Sequence, residues 1–367
     1  MSSDCPFKPL TAALQFGDTI SKLDHLIPLC HLFNAPLLLD SSFSYQLAER
    51  YYPPTRLILV KHEEYLPCLS NFHLFFASDK YSSYTLQTLY NLIANKNLYF
   101  FYCPHGNSDK GFIHKTMNQL DFHNLSLIYG EQMRQRIYHM DLYSQIHALV
   151  TMGNLRKRFY QKHKNFFTLI IKNDLKLPRK SRYTFLYAPS WQDAEHSTSF
   201  FTICKYLIKH IPSSDHLIIK IHPLLLTYNL GYVTHICEKY KDKKNVQFVQ
   251  ENPLIYPLLE YIDIYLGDVS SVGYDFLFFN RPMFFFDVRI RPPNESKTLF
   301  RCGIEVPLQY FKNPYFFIFS KLEENRKKSG IRKEIYNFVF DKDPTDYELK
   351  QNIIKAYYSL RIDKQIS

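Results

Sequence analysis

Four short stretches place polar side chains where a phosphate-bearing ligand could meet them. The first is Pro104-His105-Gly106, directly after the apolar run Leu98–Cys103. An imidazole titrates near neutrality and can take a proton from a hydroxyl, while the glycine beside it permits close backbone approach or a positive φ. Lys110, a little further on, adds a charge able to pair with phosphate. The second stretch is Lys220-Ile221-His222-Pro223, closing the run HLIIKI. Strand alternation would put Lys220 and His222 on one face, which suits an anion. The third, Ser190-Trp191-Gln192-Asp193, offers a hydroxyl for a phosphate and an indole for a base or ribose. The fourth is Gly267-Asp268-Val269-Ser270-Ser271, ahead of a helical run that contains Asp275. Two serines at a helix N-terminus supply hydroxyls, free N–H groups and the positive end of the helix dipole. Each stretch alone also fits a structural role: a capped helix, a histidine closing a strand, a snorkelling lysine, a tryptophan in a core.

The surrounding elements put all four stretches at strand ends. Leu57–Val60, Leu74–Ala77, Leu98–Cys103, Ser126–Tyr129 and Ala148–Met152 read as buried strands of an N-terminal α/β domain. Leu155–Ile171 has a basic helical pattern. Beyond a polar, proline-containing linker come strands over Thr184–Ala188, His216–Ile221, Val246–Val249, Ile262–Leu266 and Met283–Phe286. Helices over Thr198–His210, Tyr228–Lys241, Pro253–Tyr261 and Tyr274–Phe279 alternate with them, and Tyr347–Leu360 reads as a terminal helix. In an open doubly wound sheet, ligands bind at the carboxyl ends of strands, which is where the polar stretches fall.

Composition narrows the class. The 367 residues suffice for two domains, and 31 Phe and 29 Tyr against 10 Gly exclude a disordered or fibrous chain. A net charge of +11 favours acidic partners. The dense runs Arg156-Lys157-Arg158, Lys239–Lys244 and Arg326-Lys327-Lys328 read first as solvated faces, with Arg156–Lys164 and Arg326–Lys333 as candidates for an anionic membrane surface. No zinc-finger or RNP-like pattern is present, so sequence-specific nucleic-acid binding is not expected. The seven cysteines include no CxxC pair and suit reduced thiols of a cytoplasmic protein. Neither a signal peptide nor a membrane-spanning run is expected. There is no Walker loop, GxGxxG or GxSxG, and Asp341-Lys342-Asp343 reads as a loop rather than a metal–nucleotide triplet. No motif calls for a metal or a cofactor.

Taken together and in order, the motifs PHG, TMGN, YAPSW, KIHP and GDVSSVGYDF with RPMFFFD carry a resemblance. Over roughly Phe101–Asp287 the chain resembles the CDP-glycerol glycerophosphotransferases, membrane-associated enzymes of teichoic-acid-type polymers. The resemblance implies a GT-B-like fold, with two Rossmann-like domains of mainly parallel sheet facing a cleft and the donor held mainly by the second. It implies that His105 is the general base, with Gly106 beside it and Lys110 at a position commonly lysine. It also implies that His222 approaches the donor diphosphate and that Ser270 and Ser271 hold its phosphates, with Asp268 and Asp275 at acidic positions of the same motif. Gln192 stands where the family often has Arg, and Asn107-Ser108-Asp109 replaces a Thr-Pro-Leu-like stretch.

The expected organisation is an acceptor-side domain over residues 1–172, a linker over 173–183, a donor-binding domain over 184–330 and a helical tail over 331–367. The expected reaction moves glycerol phosphate, or a related polyol phosphate, from a CDP-activated donor to an acceptor hydroxyl and releases CMP. His105 and His222 are the catalytic candidates. Lys220, Ser190, Trp191, Asp268, Ser270 and Ser271 are the candidates for holding the donor, with Lys110, Gly106 and Asp275 nearby. A lipid-linked or polymer acceptor, met at the inner face of the cell membrane, completes the expectation. Two other readings stay open at this point: a glycosyltransferase or epimerase using a UDP- or CMP-sugar, and a degenerate scaffold that only binds anionic lipid or polymer.

Overall fold

The computed structural model of the chain describes residues 10–79, 86, 88, 98–107, 109, 125–175, 181–288 and 298–366. Lys110 and residues 176–180 of the expected linker lie outside the described residues. The chain divides into two compact units: residues 1–105, 116–162 and 340–367 form the first, and residues 106–115 and 163–339 the second.

The first unit is built on seven parallel strands: β1 (Thr11–Gln15), β2 (Leu37–Leu39), β3 (Leu57–Leu59), β4 (Leu74–Ala77), β5 (Tyr99–Tyr102), β6 (Leu125–Ile128) and β7 (Ala148–Thr151). Their order is β3-β2-β1-β4-β5-β6-β7. Strands such as LFFA and YFFY carry no polar alternation because helices cover both faces of a parallel sheet. Phe75 and Phe100 stack across β4 and β5 at 5.2 Å. Helix Asp346–Ile366 belongs to this unit: Tyr357 meets Tyr99 edge-on at 5.1 Å, and Lys350 donates to the Leu32 carbonyl at 3.2 Å.

The second unit has six parallel strands: β8 (Thr184–Ala188), β9 (His216–Lys220), β10 (Val246–Val249), β11 (Ile264–Gly267), β12 (Met283–Phe285) and β13 (Ile304–Glu305). The order β10-β9-β8-β11-β12-β13 reverses direction between β8 and β11. Ala188 pairs with Gly267 at the carboxyl ends of those strands, so the loops leaving them diverge there. That divergence opens the crevice in which doubly wound sheets bind ligands. The core beneath it joins Phe185, Tyr187, Leu217, Ile219, Leu266 and Phe284.

Three local expectations need correction. The basic pattern over Leu155–Ile171 is two helices, Leu155–Lys162 and Lys164–Asp174, because His163 leaves helical geometry at φ −110 and ψ 26. The helix expected from Tyr228 begins at Pro223, whose fixed φ suits a first turn, and it kinks at Asn229. The run Arg156-Lys157-Arg158 is not a solvated face. Arg156 is buried at 8% exposure against Asp24, Lys157 pairs with Asp343, and Arg158 lies between Asp343 and Asp346. Its charges are spent inside the first unit, which removes this run as a cationic membrane face.

Candidate active site

In the second unit the crevice is organised by a buried carboxylate. Asp268, just past β11, is 1% exposed. Its Oδ2 accepts the Ser190 backbone N–H at 2.7 Å and the Ser199 N–H at 3.1 Å, and its Oδ1 accepts the Ser199 hydroxyl. One side chain thus ties the loop after β11 to the loop after β8 and to the start of helix Phe200–His210. Ser190 is buried in the same loop, where its carbonyl accepts from Thr198 and its hydroxyl from Ser197. These two residues brace the crevice.

Ser270 and Ser271 sit at its mouth, both half-buried. Ser270 occupies the N-cap of helix Ser271–Phe276 but makes no capping bond through its hydroxyl, which instead lies 3.3 Å from Tyr265 Oη. Ser271 packs on Gly106. A Cβ at Gly106 would stand 2.6 Å from the serine's Cβ and 2.9 Å from its Oγ, and Gly106 has a φ of 137. Only glycine tolerates both that close approach and that backbone geometry. Asp109 fixes the same loop: Tyr274 Oη donates to its Oδ1 and the Leu299 N–H to its Oδ2 at 3.0 Å. Asp275 turns away from the mouth and accepts from Tyr256 Oη at 3.1 Å.

Lys220 and His222 of the KIHP motif part company. β9 ends at Lys220, so alternation does not extend to His222. Lys220 Nζ donates to the Asn252 carbonyl at 2.6 Å. His222 caps helix Pro223–Tyr240, and its Nδ1 accepts the Leu224 N–H at 3.2 Å. With Nδ1 accepting, a neutral ring carries its proton on Nε2, which makes it a donor suited to a phosphate oxygen. Trp191 is half-buried and lies 6.0 Å from the ring of Tyr228, on the helix that His222 caps.

In the first unit, His105 follows β5 and keeps exposed surface. Crowding by surrounding protein pushes its pKa down, to about 4; the Lys22 ammonium pushes the same way and Asp79 opposes. Water reaching the exposed ring moderates that shift, and its direction leaves a neutral imidazole at pH 7. Lys22 and Asp79 pair at 3.1 Å.

A buried chain of hydrogen bonds leads to the residue before His105. Arg156 donates to Asp24 at 3.0 Å and lies 3.1 Å from His25 Nε2. His25 Nδ1 is 3.1 Å from Tyr129 Oη, which donates to the Pro104 carbonyl at 2.7 Å. The guanidinium has only donors, so Nε2 accepts, Nδ1 bears the proton and the tautomer is assigned from its partners. Burial, then Arg156 and His105, hold the His25 pKa well below its ordinary value.

The first unit therefore offers the His105 imidazole, and the second adds serine hydroxyls and the His222 ring at a switch-point crevice. That inventory serves proton abstraction and anion binding. Among the described residues no group of three or more His, Cys, Asp and Glu is placed to hold a metal ion, and no helix is long and apolar enough to cross a membrane. Sequence reading missed Asp109 and the Arg156–His25–Tyr129 chain. Asp109 stood out only as part of the stretch that departs from the family pattern, and the chain joins residues distant in sequence that no local pattern connects.

Comparison with known proteins agrees with this geometry. Residues 106–292 match the family described as CDP-glycerol:poly(glycerophosphate) glycerophosphotransferase. A teichoic acid glycerol-phosphate primase of Bacillus spizizenii is 26% identical over 139 residues, 36% of this chain and 34% of that protein. The match thus spans about a third of that relative's length. The wall teichoic acid polymerase TagF, in a form soaked with CDPG, superposes with a TM-score of 0.64 at 15% identity, covering 99% of this chain and 91% of that one. Anabaena HepE in complex with UDP-glucose gives 0.55 at 10% identity, over 95% and 99%. MnaA of S. aureus with UDP gives 0.60 at 9% identity, over 96% and 98%. These structural likenesses fix the fold: two doubly wound parallel sheets of GT-B-like type.

Proposed function

The chain belongs to the CDP-glycerol:poly(glycerophosphate) glycerophosphotransferase family, and on that premise we propose that it transfers glycerol phosphate from CDP-glycerol to an acceptor hydroxyl and releases CMP. The observation that carries the reading is the family match over residues 106–292, which takes in the whole switch-point crevice. His105 takes the proton of the acceptor hydroxyl as its oxygen attacks the donor's β-phosphorus. The bond from that phosphorus to the bridging oxygen breaks, and its electron pair leaves with CMP. His222, through Nε2–H, and the hydroxyls of Ser270 and Ser271 receive the charge on the diphosphate. Trp191, beside Tyr228, lines the nucleoside side of the crevice. Lys220, Ser190 and Asp268 act one step back by holding the loops, as does Gly106 through its contact with Ser271. Phosphoryl transfer needs mainly positioning and charge stabilisation, which this set supplies without a covalent nucleophile.

The acceptor in this reading is a lipid-linked or polymer hydroxyl at the cytoplasmic face of the membrane. The family assignment and a net charge of +11, favourable to polyphosphate chains and anionic lipid, support it. Calorimetric titration with CDP-glycerol, with UDP-glucose as comparator and Ser271→Ala as control, tests the donor assignment. Preferential binding of CDP-glycerol, weakened by the substitution, is expected. Preference for UDP-glucose would move the protein to the sugar-nucleotide enzymes.

A further inference from the structure

Tyr265, on β11, is 0% exposed, yet its hydroxyl reaches the mouth of the crevice: Oη lies 3.3 Å from the Oγ of half-buried Ser270. The ring is held by stacking on Phe276 at 5.5 Å and by Phe285 at 6.2 Å. Gly267 makes room for the hydroxyl. A Cβ there would collide with Tyr265 Oη and stand 2.6 Å from the carbon that bears it, so the loop after β11 is built around this phenol. Burial pushes the phenol's pKa up, the Ser270 hydroxyl opposes, and the Asp268 and Asp275 carboxylates push it up again, so the group keeps its proton and remains a donor. Ser270, for its part, makes no capping bond through its hydroxyl, so the helix start does not fix how that hydroxyl turns.

We infer that Tyr265 is a positioning residue of the donor site: its buried hydroxyl donates to Ser270 Oγ and so turns the serine's own proton toward a diphosphate oxygen of CDP-glycerol. The inference rests on the transferase reading above, in which Ser270 meets the diphosphate, and deepens it by naming what orients that hydroxyl. A serine has one proton to give, and given to the phenol it would be lost to the phosphate. Of the two hydroxyls the phenol is the stronger acid and the better donor, which sets the direction of the bond. The contact of 3.3 Å is longer than the usual about 2.7–2.8 Å between hydroxyls. A phosphate that draws on the serine's proton makes its oxygen a better acceptor and tightens the bond behind it, as linked hydrogen bonds strengthen one another.

The test is a double-mutant cycle in the full chain on Tyr265→Phe and Ser270→Ala, read as CDP-glycerol affinity by calorimetry, with urea unfolding followed through Trp191. Tyr265→Phe keeps the ring and its stacking and removes only the hydroxyl. It should weaken CDP-glycerol about fivefold, the scale of one neutral hydrogen bond. Ser270→Ala should weaken it about tenfold or more, the scale of a bond to a charged group. The double variant should bind within about twofold of Ser270→Ala, because Tyr265 acts only through the serine. A merely structural tyrosine gives other patterns, and each overturns the inference: Tyr265→Phe unfolding at lower urea with affinity within twofold of wild type, or a fivefold loss that persists when residue 270 is already alanine. Ser270→Ala binding like wild type would remove the serine from the phosphates and the inference with it. Should wild type bind UDP-glucose and not CDP-glycerol, the donor reading fails, and the same cycle measured as UDP-glucose affinity decides Tyr265. Wild type binding neither nucleotide would overturn both.

Discussion

Removing the Asp268 carboxylate should loosen the second unit before it affects the chemistry. Asp268→Ala leaves the N–H groups of Ser190 and Ser199 buried without an acceptor, since both now bond to Oδ2 at 2.7 and 3.1 Å. Each orphaned donor costs about 1–3 kcal/mol, so the pair costs about 4 kcal/mol. At 1% exposure the site is shielded from bulk solvent. Asp268→Asn keeps one oxygen for the two N–H groups and turns its NH2 toward the Ser199 hydroxyl, which can accept; that variant should lose about 1 kcal/mol. Trp191 is the only tryptophan and adjoins Ser190, so its fluorescence reports this loop. With a urea m-value of about 2–3 kcal/mol/M, the alanine midpoint falls by about 1.3–2 M and the asparagine midpoint by about 0.3–0.5 M. An alanine variant that unfolds like wild type but no longer binds CDP-glycerol would refute the reasoning and make Asp268 a direct ligand.

Four further outcomes are expected. Tyr129→Phe removes the bond to the Pro104 carbonyl at 2.7 Å and should lower kcat several-fold with KM little changed, read in steady-state CMP release; a change in KM alone would contradict a role in placing His105. Because the His105 pKa is lowered, the imidazole stays neutral and active at pH 7 and above, and its contribution to kcat/KM should fall only below its ordinary value; a pH–rate profile falling already above pH 7 would contradict this. Stability follows the same direction at buried His25: its folded pKa lies below the unfolded value, so the unfolded state binds the extra proton and urea midpoints should drop as pH falls below about 6.5, an effect absent in His25→Gln. Gly106→Ala places a Cβ 2.6 Å from that of Ser271 at a positive φ and should cost about 2–4 kcal/mol of stability in the second unit together with most activity, measured by Trp191 unfolding and CMP release.

The second sheet was legible because its strands are short, β-prone runs between polar or proline-containing turns, as in Thr184–Ala188 and Val246–Val249, both of which the structure keeps residue for residue. The strands over Leu37–Leu39 and Ile304–Glu305 were not, since three and two residues carry no periodicity to read. The crevice was found from its motif, but the division of labour within it was not. Ser190 and Lys220 read as ligands from their places at strand ends, and Asp268 and Asp275 from the family motif; the structure adds to each a bond with a partner that the sequence does not connect to it. The cationic run Arg156-Lys157-Arg158 misled for the same reason: Asp24 and Asp343 are remote in sequence, and only the fold brings them to it.

The central claim of the proposed function is that the chain transfers glycerol phosphate from CDP-glycerol with His105 as base. Phosphorus NMR of the purified chain incubated with CDP-glycerol and a glycerol-phosphate-primed acceptor tests it directly. The account predicts loss of the diphosphate signals, with CMP and a new phosphodiester formed in equal amounts, and a fall of at least about 100-fold in that rate for His105→Asn. Intact CDP-glycerol under wild type, or a His105→Asn variant as fast as wild type, would contradict it.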